Sequence, residues 1–149
     1  MPNDDGYASS SIEGRVAVEW FDASEESQKR KYAFKCHRQT GPPDPDDPDK
    51  EPVDIVYPVH ALAFHPTLGS FVSGGGDGVV IAWDAIGKRR VRGYKPYAAS
   101  VAALAFSHDG RLLATGISPG FEEGKEYNVG EGNVQVWVRQ LTENEMKSK

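Results

Sequence analysis

The sequence reads VHALAF at residues 59–64 and VAALAF at residues 101–106, so two nearly identical segments begin 42 residues apart. At the same spacing, FVSG at residues 71–74 corresponds to LATG at residues 113–116. Each segment is short, apolar and rich in β-branched or small residues, which is typical of strands rather than of helices. The chain therefore contains a tandem repeat of β-structure.

Two further matches extend this repeat. GVVIAW at residues 78–83 corresponds to GNVQVW at residues 132–137, with 12 additional residues before the second copy, and GRVAVEW at residues 14–20 is a more diverged third copy. A repeat of about 40–45 residues with a tight turn and a Trp-Asp ending is typical of the four-stranded blade of a β-propeller. The sequence therefore predicts an all-β fold, a partial WD-repeat propeller.

Composition narrows the classes of protein. The chain has 149 residues, a formal net charge of −5 and one cysteine. The acidic balance argues mildly against a general nucleic-acid binder. One cysteine cannot form an intramolecular disulfide, which fits a reducing compartment. The sequence has neither an apolar run long enough to span a bilayer nor the apolar stretch of a secretory signal.

Loop-forming segments divide the chain. GPPDPDDPDKE at residues 41–51 carries prolines and acidic residues that disfavour a strand, and residues 118–131 are rich in glycine and charge. The polar tail from Thr142 is expected to fray. We expect a partial blade over 1–41, an acidic proline-rich loop over 42–56, a blade over 57–97, a blade without its outer strand over 98–141, and a polar tail over 142–149.

The strand count predicts an incomplete ring. About ten strands are expected, which is fewer than three full blades, whereas propellers close with roughly 4–8 blades. Both end blades would then expose a sheet face and an edge, so the remaining blades of a propeller are an expected partner. Expressed alone, the chain is expected to aggregate or to unfold without cooperativity.

Several segments resemble the mitotic-checkpoint propellers of the budding-uninhibited-by-benzimidazole group. The most specific is KYAFKCHR at residues 31–38, and the checkpoint members are favoured by Tyr32 and by RQLT at residues 139–142. A close relative, the messenger-RNA export propeller at the nuclear pore, shares some of these elements and is the alternative. The other matching segments are SSIEGRVAVE at 10–19, YPV at 57–59, AFH at 63–65, GGDG at 75–78 and LAFS at 104–107.

This resemblance implies the C-terminal three blades, starting in the fifth blade, of a seven-bladed, non-catalytic scaffold without cofactors. It implies partners that carry short linear motifs: checkpoint kinases and pseudokinases with a glutamate-containing segment, and a kinetochore scaffold with phosphorylated threonine repeats. The implied location is the nucleus, and the kinetochore in mitosis. Neither a membrane nor direct nucleic-acid contact is implied.

Two residues are the candidates for binding partners. By the resemblance, Arg15 would pair with partner glutamates, since a guanidinium binds a carboxylate with two parallel hydrogen bonds. Lys35 would take the phosphate, and it belongs to the densest basic cluster of the chain, in which Lys31 and Arg38 are possible rim contacts. The alternative for each is a solvated turn or strand cation that protects a sheet edge.

Other reactive side chains have simpler explanations. Cys36 and His37 are adjacent, but neighbouring strand residues point to opposite faces and no second cysteine exists. We expect a packed cysteine and a hydrogen-bonded histidine rather than a metal site. The basic run at residues 88–92 is expected to be a solvated rim with some capacity for contact with a partner or nucleic acid.

Overall fold

A computed structural model describes residues 1–47, 49, 51–120, 134–142 and 144–147 of the chain. Within these residues, antiparallel strands dominate, and one short helix, α1, follows the second strand. The elements are β1 (Gly6–Ser11), β2 (Arg15–Trp20), α1 (Glu25–Gln28), β3 (Tyr32–Lys35), β4 (Arg38–Thr40), β5 (Asp54–Val56), β6 (Val59–Phe64), β7 (Ser70–Gly75), β8 (Val80–Asp84), β9 (Arg89–Gly93), β10 (Val101–Phe106), β11 (Leu112–Ile117) and β12 (Gln135–Gln140).

The strands form three sheets and one hairpin. Sheet A has the order β1-β2-β3, sheet B the order β6-β7-β8-β9, and sheet C the order β10-β11-β12. Strands β4 and β5 pair as a separate hairpin, which raises the strand number of the described residues above the ten expected. The predicted all-β class is confirmed, and the sheets have the meander order of propeller blades.

Alternation along the central strands explains how the sheets stack. In β2, Val16, Val18 and Trp20 are buried, and the intervening residues are more exposed. In β7, adjacent Phe71 and Val72 are both fully buried because they pack against different neighbouring sheets. Sheet B is therefore covered on both faces, as expected of the middle member of a stack.

Two apolar clusters fill the spaces between the sheets. One joins sheets A and B and the other joins sheets B and C, with the inner strand β6 in contact with both β1 and β10. Full burial of one large apolar side chain such as Phe71 contributes about 1.5–3 kcal/mol. The first cluster contains Val16, Val18, Trp20, Cys36, Val59, Phe71 and Ala85, and the second contains Val72, Val80, Ala82, Tyr94, Val101, Leu113, Ile117 and Met146.

The outer strand of sheet C is exposed along its whole length. All six residues of β12 are exposed, and Val136 and Val138 have exposed fractions of 75% and 63%. They lie on the same face as Leu112, which is 41% exposed, because β11 and β12 pair in register. The described residues of sheet C thus leave an apolar face uncovered, as expected of a partial propeller.

The predicted frayed tail is wrong for residues 144–147. Met146 is 2% exposed and belongs to the cluster between sheets B and C, and Glu145 is 9% exposed. Met146 is a single apolar residue in a polar segment, so the composition of the tail did not indicate that it would be buried. Within the described residues, no helix has the length and hydrophobicity needed to cross a membrane.

A buried hydrogen-bond chain joins sheets A and B. Trp83 Nε1 donates to Ser73 Oγ at 2.8 Å, and Ser73 Oγ lies 2.8 Å from His37 Nε2. His37 Nδ1 lies 2.9 Å from Asp77 Oδ1, and a carboxylate can only accept, so Nδ1 carries the hydrogen. The imidazole is 2% exposed, as the prediction of a hydrogen-bonded histidine required.

The backbone is shaped to admit this imidazole. Strand β3 ends at Lys35, and His37 has a φ of 48°, which turns its side chain inward instead of continuing the strand alternation. A Cβ atom at Gly75 would lie 2.4 Å from His37 Nδ1, so the position requires glycine. The Asp77 carboxylate also accepts from Val79 N at 3.1 Å, which fixes the turn before β8.

Replacing His37 with alanine is expected to destabilise the fold by about 3 kcal/mol, because it leaves the buried Asp77 carboxylate without its main partner. Hydrogen exchange of the backbone amides of β7 and β8 measures the change, because exchange reports local stability without requiring a cooperative unfolding transition. The matched control is His108→Ala, since His108 is exposed and its loss should cost less than about 0.5 kcal/mol. Equal effects of the two substitutions would contradict this role of the hydrogen-bond chain.

A second histidine links sheet B to sheet C. His65 Nε2 donates to the Gly110 carbonyl at 3.2 Å, and Nδ1 accepts from the backbone amides of Thr67 and Leu68 at 3.3 and 3.2 Å. Burial lowers the pKa of His65, against a smaller opposing effect of the Gly110 carbonyl. Protonation at Nδ1 would also remove the acceptor used by the two amides.

We expect acid to weaken the fold through His65. Because its pKa is lower in the folded chain than its ordinary value near 6.5, its contribution to stability is complete above about pH 6.5 and is lost as the pH falls through the lowered pKa. Urea midpoints at pH 7.5 and 5.5 test this expectation. The His65→Gln variant should show a smaller pH dependence than the wild type, and an unchanged dependence would contradict it.

Candidate functional site

The two predicted partner-binding residues lie side by side. Arg15 begins β2 and Lys35 ends β3, and the two residues are directly opposite each other in the antiparallel pairing. Directly opposed residues share one face of a sheet, with Cβ atoms about 5 Å apart. The side chain of Arg15 is 46% exposed, and Lys35 is exposed. The structure thus brings two cations together at one end of sheet A.

The turn before β2 holds Arg15 in place. Gly14 has a φ of 60°, and a Cβ atom there would lie 2.6 Å from the carbonyl oxygen of Cys36. Arg38 Nη2 donates to the carbonyl oxygen of Glu13 at 2.8 Å, and Arg15 Nε lies 4.0 Å from Glu13 Oε2. Arg38 is therefore part of this end of the sheet.

Lys31 does not join this group. It precedes β3, whereas Lys35 ends it. Four residues of strand span about 13 Å, so the side chain of Lys31 lies at the far end of the strand. Of the four basic residues singled out from the sequence, three cluster and one does not.

An aromatic groove separates sheets A and B beside Lys35. Phe34 and Trp83 have ring centroids 4.5 Å apart, and the Tyr32 hydroxyl donates to the Ala85 carbonyl at 2.9 Å. Lys88 Nζ lies 4.9 Å from the centroid of the Tyr32 ring. The groove has a volume of about 220 Å³, and Lys35 lies at its edge.

The turn between β8 and β9 supplies the other cations of this groove. The Asp84 carboxylate accepts from the amides of Ile86 and Gly87 at 3.0 and 2.8 Å, which fixes the turn from which Lys88 projects. Arg90 follows on β9, opposite Trp83, and also lines the groove. The lining of the groove therefore combines aromatic rings with four cations, from Lys35, Lys88, Arg89 and Arg90, and one carboxylate. That carboxylate belongs to Asp84, whose Oδ2 lies 3.8 Å from Arg89 Nε.

Burial changes the pKa values of two side chains beside this site. Burial raises the pKa of Tyr32 to about 12, so its ring stays a neutral platform for a cation. Burial likewise raises the pKa of Cys36 to about 12, which leaves its thiol protonated and a weak nucleophile at neutral pH. The described residues contain no cluster of side chains that could hold a metal ion.

The sequence indicates only one of the four cations of this groove. Lys35 is a candidate from the sequence, whereas Lys88 and Arg90 belong to the basic run expected to be a solvated rim with some capacity for contact with a partner or nucleic acid. The available signal was the register, since Arg90 is paired with Trp83, a residue at a repeat position of the sequence. That pairing depends on an irregularity between Ala82 and Trp83, which no sequence pattern indicated.

Replacing Gly14 with alanine is expected to cost at least about 1 kcal/mol, because an L residue is strained at positive φ and its Cβ would press on backbone. The matched control is Gly116→Ala, where a Cβ would meet its nearest neighbour at an ordinary 3.5 Å. Hydrogen exchange of the Cys36 amide, which donates to the Gly14 carbonyl at 2.9 Å, compares the two variants. A Gly14→Ala variant as stable as the control would show that the turn tolerates a side chain.

Comparison with known families identifies the repeats. The family described as "WD domain, G-beta repeat" matches residues 55–84 and 89–125. The first range begins in β5 and includes the VHALAF segment, and the second begins in β9 and includes the VAALAF segment. The confirmed repeats account for the sheet order of the described strands.

Three curated proteins illustrate what the chain is similar to. The chain is 48% identical over 148 residues to mitotic checkpoint protein BUB3.1 of Arabidopsis thaliana, covering 99% of this chain and 40% of the relative. It is 38% identical to mitotic checkpoint protein bub-3 of Caenorhabditis elegans, covering 100% of this chain and 41% of the relative. It is 31% identical to mRNA export factor GLE2 of Chaetomium thermophilum, covering 97% of this chain and 38% of the relative.

The chain thus spans about two fifths of the length of these curated relatives. Its identity to the two checkpoint proteins is higher than its identity to the export factor. The matched repeats, the antiparallel sheets and these similarities agree: the chain belongs to the WD-repeat proteins, as a partial β-propeller similar to the mitotic checkpoint members of that family.

Proposed function

We propose that this chain is the motif-binding part of a non-catalytic WD-repeat scaffold of the mitotic spindle checkpoint. The observation that carries the proposal is the groove between sheets A and B, where Lys35, Lys88 and Arg90 surround an aromatic floor. It lies in a chain of net charge −5, so the positive charge here is a local excess.

A phosphothreonine motif of a kinetochore scaffold is the ligand best suited to this groove. A phosphate brings a charge of about −1.5 to −2 at neutral pH and three acceptor oxygens. Lys35 and Lys88 can donate to those oxygens, and Arg90 can bind two of them at once. Apolar side chains beside the phosphothreonine would cover the Phe34 and Trp83 rings.

Arg15 would bind a glutamate of a second class of motif, carried by checkpoint kinases and pseudokinases. Its side chain is about half exposed, and its nearest carboxylate, Glu13, is 4.0 Å away. Exposed pairs of this kind contribute about 0–1 kcal/mol, so a well-placed ligand carboxylate can replace Glu13. Arg38 would support this contact by holding the Glu13 backbone.

The names of the relatives support the place of action that we propose for this chain. The checkpoint names of the Arabidopsis and Caenorhabditis proteins suggest action in the nucleus and, in mitosis, at the kinetochore. The remaining blades of a propeller would cover the exposed face of sheet C. The alternative is an mRNA-export adaptor at the nuclear pore, which the similarity to export proteins at 31% and 29% identity supports less strongly.

Binding of a fluorescein-labelled, twelve-residue acidic peptide with one central phosphothreonine tests the groove. Fluorescence anisotropy is expected to show binding that weakens at least about tenfold in Lys35→Glu and in Lys88→Glu, a change of about 1.4 kcal/mol. The matched control is Lys95→Glu, because Lys95 is an exposed lysine outside the groove. Thermal unfolding of each variant checks that the fold is retained.

Two outcomes would contradict the proposal. Equal affinity for the phosphorylated and unphosphorylated peptides would remove the phosphate from recognition. Equal losses in Lys35→Glu and Lys95→Glu would reduce the effect to net charge. Tight binding of a nucleoporin segment that is insensitive to both substitutions would favour the export alternative.

A further inference from the structure

A second groove lies between sheets B and C, on the other side of β9. Strand β9 forms one wall with Arg92, and residues 144–147 of the C-terminal turn form the other. The sequence assigned the basic run of β9 to a solvated rim and the tail to a frayed end. In the structure, the basic run of β9 and the tail are in contact through the Glu145 carboxylate.

Glu145 is the centre of this contact. Its Oε1 lies 3.1 Å from Arg92 Nη1 and 3.8 Å from Arg139 Nη1. Its Oε2 accepts from the backbone amide of Thr142 at 2.7 Å and from the Thr142 hydroxyl at 3.1 Å. Both carboxylate oxygens therefore have partners, which is the condition under which a nearly buried charge is tolerated.

The two arginines are themselves positioned by an aromatic ring. The guanidinium carbons of Arg92 and Arg139 lie 5.5 and 4.8 Å from the centroid of the Tyr94 ring. Tyr94 is 8% exposed and belongs to the apolar cluster between sheets B and C. The ring thus presents two guanidinium groups, from β9 and β12, toward the same carboxylate.

Met146 anchors the turn beside this carboxylate. Its side chain is 2% exposed and packs in the cluster that contains Val72 and Val80. The next residue, Lys147, is exposed. The bound segment therefore has a simple pattern: a threonine, two residues, a glutamate and an apolar anchor.

We infer that Arg92, Arg139 and Tyr94 form a second peptide-binding site, specific for a segment of the form Thr-x-x-Glu-Met. In the structure, the chain's own Thr142, Glu145 and Met146 occupy it. The ligand class is an acidic linear segment with an apolar residue after its glutamate. The same segment on another protein would compete with the tail for this site.

The solvent exposure of the two arginines favours an exchangeable ligand over a purely structural contact. The side chains of Arg92 and Arg139 remain 50% and 45% exposed, and the two of them face one glutamate. Exposed guanidinium groups leave the ion pairs open to solvent and weaken them compared with fully buried pairs. A tethered segment nevertheless fills the site at an effective concentration in the millimolar range.

Anisotropy with a fluorescein-labelled peptide of sequence LTENEMK, a copy of residues 141–147, tests this inference on the full chain. In the variant Glu145→Lys with Met146→Asp, the tail should leave the site, and the peptide should bind at least tenfold tighter than to the wild type. Adding Arg92→Glu and Arg139→Glu should abolish that binding. A peptide with glutamine in place of its fifth residue should not bind.

A second measurement leaves the tail in place. Hydrogen exchange of the Thr142 amide, which donates to Glu145, should accelerate at least tenfold in Glu145→Ala, because alanine has no side-chain acceptor. It should be unchanged in the control Lys95→Ala, which removes an exposed side chain that lies outside both grooves. Equal exchange in both variants, or peptide binding that ignores the glutamate, would overturn the inference. Lys35→Glu should leave both results unchanged, which separates this site from the groove between sheets A and B.

Discussion

The stacking of sheets A and B depends on the hydrogen-bond chain that runs from Trp83 through Ser73 and His37 to Asp77. It crosses from the segment after β3 to two strands and a turn of sheet B. Apolar contacts do not depend on the relative orientation of the groups in contact, whereas each of these hydrogen bonds requires a donor to face an acceptor. The chain of bonds therefore fixes the relative position of the sheets, and with it the shape of the groove at their outer edge.

The two grooves that flank β9 are built on the same principle. In each, a tyrosine ring from the packed interface holds cations at the surface: Lys88 over Tyr32 on one side, and Arg92 with Arg139 over Tyr94 on the other. Strand β9 supplies cations to both grooves. Arg89 and Arg90 line each of them, and Arg92 lines the groove beside the C-terminal turn. A basic edge strand also discourages pairing with other chains, so the same residues protect the edge and attract acidic ligands.

The tail shows why composition is a weak guide to packing at a chain end. Residues 142–149 are mostly polar, which favours a frayed segment. One methionine and one glutamate changed that outcome, because the cluster between sheets B and C had room for Met146 and two arginines faced Glu145. Arg92 of β9 lies far from the tail in sequence, so no local pattern could indicate its contact with Glu145.

The all-β class, the repeat and the strands around Val59–Phe64 and Val101–Phe106 can be predicted from the sequence, because alternation and repeat spacing are local properties of the chain. A family resemblance in the sequence also indicates Arg15 and Lys35 as candidates. Their pairing on adjacent strands, and the groups that they face, depend on the folded structure. The register of β8 with β9, the inward turn at His37 and the docking of Met146 arise between segments distant in sequence, and only their packing brings Lys88 and Arg90 to one groove and Glu145 to the other.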